Sequence, residues 1–263
     1  SLVFDNLDNR LRPTRGRRFV FSQDYAGLGG SVNYLRTNFD ARSYWKPFGN
    51  YVFSLTAEGG YIHSFETPKS PGSDPVRLTD RYFMGEPQFP GFDIRGVGPR
   101  VQRQFYDSNG NPITARNQVV DDSLGGRAYY LGRMELEIPL GSGAREMGLR
   151  PSIFAVAGSV FGVTHPQLNN LPNGLRRCRD NASGAVTEQA YGTACSDTQT
   201  LLFEVPGFRE VFYGDTWKPR LSVGFGVNWR SPFGPFRIDL AKALIKKDGD
   251  DPKLFTFNVG TQF

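Results

Sequence analysis

The segment Arg220-Leu-Ser-Val-Gly-Phe-Gly-Val-Asn-Trp-Arg230 presents two different surfaces in strict alternation. Leu221, Val223, Phe225, Val227 and Trp229 make one; Arg220, Ser222, Gly224, Gly226, Asn228 and Arg230 make the other. Successive side chains of a β-strand point to opposite faces, so a period of two predicts a strand with one apolar and one small, polar face. A soluble sheet could carry that alternation with its apolar side turned inward. A barrel in lipid is favoured when the polar face, built of small residues and charges, recurs strand after strand.

It does recur. From Tyr34 to Lys46, Leu35, Phe39, Ala41 and Trp45 alternate with Arg36, Asn38, Asp40 and Arg42. Between Ala128 and Ile138, Tyr130, Met134, Leu136 and Ile138 alternate with Arg133, Glu135 and Glu137. The last stretch sets Phe255, Phe257, Val259 and Phe263 against Thr256, Asn258, Gly260 and Gln262. Opposed charges on the polar face can pair across neighbouring strands, as the wall of a wet lumen requires. Nine strands are predicted, at about 1–8, 17–26, 32–46, 51–63, 127–139, 149–162, 219–231, 235–246 and 253–263. Several run to ten residues or more, the length of a tilted membrane span.

The connections also alternate. Short turns fall near 9–16, 47–50, 140–148 and 231–235, modest ones near 27–31 and 247–252, and long loops at 64–126 and 163–218. Tight turns on one side and long loops on the other are the habit of outer-membrane barrels. The expectation is an all-β chain, a transmembrane antiparallel β-barrel domain over 1–263 that is partial. Bacterial single-chain barrels have even strand numbers, so nine imply either strands before Ser1 or a second chain completing the wall. The opening Ser1-Leu-Val-Phe4 is already strand-like, so the start reads as a cut.

Composition agrees without deciding. Among 263 residues, 22 Phe, 11 Tyr and 31 Gly suit strands and turns better than helices. The mean hydropathy of −0.42 is no obstacle, because only alternate residues of a barrel meet lipid. No run reaches the ~18 apolar residues of a spanning helix; the longest, Ile153 to Val163, contains Gly and Ser. The net charge of +5 comes from scattered Lys and Arg, which argues against nucleic-acid binding.

Catalytic signatures are missing: no Gly-x-Ser-x-Gly elbow, no His-Glu-x-x-His, no phosphate loop. Glu135 and Glu137 share a face, but Arg133 beside them favours a solvated wall cluster over acid–base work. His63 and His165 show no ligand spacing, so neither a metal nor a cofactor is expected. The chain is read as a non-enzyme. Cys178 and Cys195, with sixteen residues between them in one polar segment, predict a disulfide, with a metal site as the rival.

Three carboxy-terminal stretches then carry a resemblance. Ser231-Pro-Phe-Gly-Pro-Phe-Arg-Ile-Asp-Leu-Ala241 leads to Lys246-Lys-Asp-Gly-Asp250 and to Phe255-Thr-Phe-Asn-Val-Gly-Thr-Gln-Phe263. Together they resemble the end of the BamA family of outer-membrane assembly factors, within the bacterial surface antigen superfamily. Asp5-Asn-Leu-Asp-Asn9 through Pro13-Thr-Arg-Gly16 is similar to a mid-barrel strand and turn of the family. The resemblance implies a sixteen-stranded barrel of which these are the last nine strands, with the preceding strands and the periplasmic POTRA domains absent from this sequence. It implies assembly and insertion of β-barrel proteins through a lateral seam in the bacterial outer membrane. The implied partners are unfolded outer-membrane clients, lipid and lipopolysaccharide, and accessory assembly lipoproteins.

The family also carries a long loop with a Val-Arg-Gly-Phe-type motif that folds back into the barrel. Phe89-Pro90-Gly91-Phe92 matches it here, followed by Gly96-Val-Gly98-Pro99-Arg100. Pro90 stands at the motif's arginine. Of the acidic groups that the arginine meets in the family, Glu135 matches one and Val156 stands at another. Losing a cation together with a partner costs less than losing one alone. Arg95 either replaces that cation or merely faces water. Gly260 matches a glycine at which the final strand kinks beside the seam, with close packing on the inner wall as the alternative. The terminal aromatic Phe263 marks outer-membrane barrels generally. A passive pore or translocation channel is the rival function, since Arg36, Asp40, Arg42, Arg133 and Glu135 would line a channel equally well.

Overall fold

The structure is a computed structural model that describes residues 1–10, 12–27, 29, 32–141, 148–231 and 234–259. The chain forms β1 (Leu2–Asp5), β2 (Gly16–Ala26), β3 (Tyr34–Trp45) and β4 (Val52–Ser64). Next come β5 (Arg100–Phe105), β6 (Val120–Ser123), β7 (Ala128–Glu137) and β8 (Leu149–Phe161). Five strands share one connection: β9 (Asn170–Leu171), β10 (Leu175–Asp180), β11 (Val186–Gln189), β12 (Gln199–Val205) and β13 (Phe208–Tyr213). Last are β14 (Arg220–Ser231), β15 (Gly234–Ile245) and β16 (Phe255–Val259).

Nine of these pair antiparallel in the order β1-β2-β3-β4-β7-β8-β14-β15-β16. They are the nine alternating segments of the sequence, and most ends agree within two residues. β1 stops earlier, at Asp5, because side chains capture the backbone that a longer ladder would use. Asp5 accepts from the Leu7 N–H (3.1 Å), Asn6 from Arg17 (2.6 Å), and Asp8 from Thr14 (2.8 Å) and Arg15 (3.1 Å).

The pleat sorts the side chains. On β14, Arg220 and Ser222 are buried, while Val223, Phe225 and Trp229 are exposed. The register continues that outer face sideways, setting Phe225 beside Ile153 and Leu240. The result is an exposed aliphatic band of Leu55, Met134, Ile153, Val223 and Leu240. Aromatic pairs edge it. Trp45–Phe53 (5.6 Å), Trp229–Phe236 (5.7 Å) and Phe236–Phe257 (5.8 Å) lie toward the tight turns. Tyr25–Phe65 (6.3 Å) and Tyr130–Phe161 (6.4 Å) lie toward the long connections. An apolar band between two aromatic girdles is how a barrel wall meets a bilayer. The fold is all-β, the partial wall of an outer-membrane barrel. Among the described residues it is open, with β1 and β16 as its edges.

The two segments read as long loops are themselves stranded. They hold β5, β6 and β9 to β13, which form the sheets β6-β5-β13-β9 and β11-β10-β12. The chain divides into two compact units. Ser1–Pro99, Ser123–Thr164 and Gly214–Phe263 make the first; Arg100–Asp122 and His165–Tyr213 make the second. In the second, Cys178 on β10 is bonded to Cys195, with Cα atoms 5.8 Å apart. Closing a loop of this size removes unfolded-state freedom worth about 3 kcal/mol. Reducing the bond should therefore speed amide exchange on β10 to β12 by about 100-fold. Unchanged exchange after reduction, read by mass spectrometry, would show that the small sheet does not depend on the bond.

Candidate functional site

The inner face of the first unit is covered by residues 82–99, and small wall residues make that possible. Phe89 and Phe92 are fully buried and meet edge to face, with centroids 4.8 Å apart. They pack with Met84 and Val97 from their own loop and with Leu131, Phe154, Val156, Val160 and Ala241 from the wall. Gly91 is required between them. Its φ is +99°, and a Cβ there would lie 2.8 Å from the Ser222 Cβ. The same close approach lets the Ser222 hydroxyl donate to the Pro90 carbonyl (2.6 Å). Gly98, with φ +112°, lies against Val160. The Pro99 carbonyl accepts from the Leu124 N–H (2.8 Å). Arg100, in the second unit, pairs with Asp121 (2.6 Å).

Glu135 is met from the wall. Arg133 donates to it at 2.9 Å and Arg237 at 3.1 Å, and the Ser152 hydroxyl completes the set. Arg237 also holds Asp239 (2.9 Å), and both guanidiniums lie over the Phe154 ring, at 4.8 and 5.6 Å. Glu137 lies 3.9 Å from both Arg12 and Arg150. Arg95 is elsewhere: exposed, with a φ of +54° and its guanidinium 4.5 Å over the Phe83 ring. The cations beside Glu135 thus come from β7 and β15, not from the loop. Val156 is wholly buried in the apolar cluster. A carboxylate without a cation there would be desolvated among phenylalanines.

Polar groups tie the loop at its margins. Gln88 donates to Glu58 (2.9 Å), Tyr82 to Asn38, and Arg36 to the Asp80 carbonyl. A cavity of about 370 Å³ lies beside Gln88, Arg42, Arg133 and Glu135. Its mixed charges suit water filling a lumen better than one ligand. No cluster with metal-ligating composition occurs among the described residues.

Arg220 is among the most enclosed charges of the described residues. It is fully buried and bonds Asp250 through two nitrogens (3.0 and 3.2 Å), the Ser159 hydroxyl (2.7 Å), and the Gly214 (2.9 Å) and Thr216 (3.1 Å) carbonyls. The sequence reading put Arg220 on the lumen face without its partner. It missed Arg237 and Asp239, although that pair sits at two-residue spacing, on one face of a predicted strand. It missed Asp250 and Lys253 as well. Gly260 and Phe263 lie outside the described residues.

The comparisons fit this geometry. A family model described as the Omp85 superfamily domain matches residues 1–263. The outer membrane protein assembly factor BamA of Neorickettsia risticii is 28% identical over 264 residues, covering 100% of this chain and 27% of that protein. BamA of Neisseria meningitidis is 26% identical, covering 98% and 28%. A sorting and assembly machinery component 50 homolog of Bos taurus is 28% identical over 171 residues, covering 63% and 31%. The chain thus spans less than a third of the length of these relatives. In fold it matches the crystal structure of BamA from Haemophilus ducreyi lacking POTRA domains 1-3, with a TM-score of 0.62 and 21% identity. That match covers 97% of this chain and 40% of the other.

Proposed function

This chain belongs to the Omp85 superfamily, and from that premise we propose that it is part of a machine that inserts β-barrel proteins into an outer membrane. The observation that carries the reading is the family match over the whole chain, with outer-membrane assembly factors among its relatives. Both BamA relatives are bacterial, which supports a bacterial outer membrane. The clients are unfolded outer-membrane proteins, and accessory lipoproteins, lipid and lipopolysaccharide surround the barrel.

The work needs no catalytic chemistry. An edge strand in hydrocarbon has backbone groups that cost several kcal/mol each when unpaired, so it captures any strand presented to it. β16 ends the described sheet, with Phe255, Phe257 and Val259 exposed on its outer side and β15 as its partner. When the seam beside β16 parts, a client strand adds to the edge by β-augmentation. The apolar plug on the inner face favours this over an open channel.

A disulfide staple tests it. Asn258→Cys, paired with a cysteine on the facing strand of the full-length protein, should slow insertion of a small client barrel at least tenfold in liposomes. Reductant should restore the rate, measured against unstapled protein in the same reductant, because Cys178–Cys195 is exposed to it too. A stapled protein that inserts at the unstapled rate would sink lateral opening at β16.

A further inference from the structure

The wall pairs cations on its inner face. Arg42 lies 3.1 Å from Asp40, Arg133 2.8 Å from Glu135 and Arg237 2.9 Å from Asp239. Three cations on the outer side depart from that habit. Arg15 and Arg17 flank the start of β2 and Lys46 follows β3, where the sheet reaches its tight turns, and all three are exposed. Among the described residues none of them has a carboxylate within ion-pair distance. Asp8 accepts from the Thr14 and Arg15 backbone N–H groups rather than meeting the Arg15 guanidinium. With Phe4, Phe19 and Trp45, the three cations line an open groove of about 590 Å³. β2 sends Arg17, Phe19 and Phe21 to the same exposed side, and Phe4 lies opposite Phe19. Farther along this margin stand Phe53 opposite Leu136 and Trp229 opposite Phe236. On the outer face the charge gathers at β2 and β3.

The geometry points to a binding site for one anionic phospholipid on the outer face of β1 to β3, its headgroup phosphate held by Arg15, Arg17 and Lys46. The short turns of such barrels are periplasmic, so this margin lies at the headgroups of the periplasmic leaflet. A guanidinium presents paired N–H donors that match two phosphate oxygens, and an ammonium adds a point charge. Long basic side chains keep their stems on apolar surface and their charges at the interface. Trp45 and the Phe4–Phe19 pair, with centroids 6.0 Å apart, border the headgroup level as a girdle does. The acyl chains follow the rings. Phe21 and Phe39, opposite one another and both exposed, continue the outer face from the groove toward the middle of the apolar band. A further strand joined at the open edge of β1 would lie in the plane of the sheet and leave this face outward. Three unopposed positive charges select an anionic lipid over a zwitterionic one. The inference rests on the barrel fold, not on what the barrel does.

Native mass spectrometry of full-length protein in detergent micelles, titrated with phosphatidylglycerol, reads the site. One phosphatidylglycerol should be retained at a concentration where phosphatidylcholine is not. Arg15→Gln and Arg17→Gln should each weaken retention about fivefold, and the two together about 25-fold. Arg17→Lys keeps the charge and should stay within about threefold of the unmodified protein. Lys218→Gln, on the side of the long connections, should change nothing. All these side chains are exposed, so each variant should keep the heat-modifiable gel mobility of the folded barrel. Equal retention of the two lipids overturns the site. So does a double variant that binds like the unmodified protein, or a Lys218→Gln variant that loses as much as Arg17→Gln. Excess inorganic phosphate at constant ionic strength should leave the lipid in place; if it displaces the lipid, the groove is a site for free phosphate and the lipid assignment falls. None of these outcomes involves client insertion, so the site and the assembly reading fail separately.

Discussion

Arg220→Met should cost the barrel about 3–5 kcal/mol, the penalty for breaking a buried ion pair by removing one partner. Asp250 would keep the Lys247 N–H (2.6 Å) as a donor but lose two charged bonds. The Gly214 and Thr216 carbonyls and the Ser159 hydroxyl would lose the donor they share. Urea unfolding in lipid, followed by heat-modifiable gel mobility, reads the loss. Asp250→Asn should cost a comparable amount, because it leaves the guanidinium buried opposite a neutral amide.

The double variant decides the cause. Arg220→Met with Asp250→Asn removes both charges and keeps an acceptor for Lys247, so it should cost well under the sum of the singles. About 1–3 kcal/mol should remain, the cost of the acceptors left without a donor. A strictly additive double would mean that the two residues act separately, contrary to the geometry. A single Arg220→Met variant within about 1 kcal/mol of the unmodified protein would mean that water reaches the pocket and screens the pair.

The wall was legible in the sequence because several of its strands state their two faces locally. β14 needs no partner to be recognised: five apolar residues alternate with polar and small ones. The strands inside the long connections make no such statement. β10, Leu-Arg-Arg-Cys-Arg-Asp, puts charge on both faces, and β12 runs Leu201-Leu-Phe203 without alternation. Their pairing is decided by contacts far along the chain, as where Phe208 meets Phe105. The site divides in the same way. Phe89 and Phe92 stood out through a motif, and Arg133 stood beside Glu135, but the second guanidinium on Glu135 could not be read. Arg237 lies 102 residues away, and sheet register alone brings the two together. The resemblance, with Pro90 at its arginine, pointed to Arg95 in the loop, whereas the cations beside Glu135 stand on the wall.

Phe92→Ala should release the inner loop from the wall. The ring is fully buried against Phe89 and the cluster around Val156, and truncating such a side chain costs about 3–5 kcal/mol. The sheet keeps its ladders without that ring, so the cost is met mainly by local opening of the loop rather than by unfolding the barrel. Full-length protein in a planar bilayer should then show larger and more frequent conductance steps, and protease should cut between 82 and 99. Glu135→Gln is the informative contrast. Its partners Arg133, Arg237 and Ser152 all stand on the wall, so neutralising it should weaken the wall and leave the plug seated. If Glu135→Gln opened the channel as far as Phe92→Ala, charge would be holding this loop after all. If neither did, residues 82–99 would be held by their margins, through Gln88 and Lys253, and Gln88→Ala with Lys253→Met should then open it.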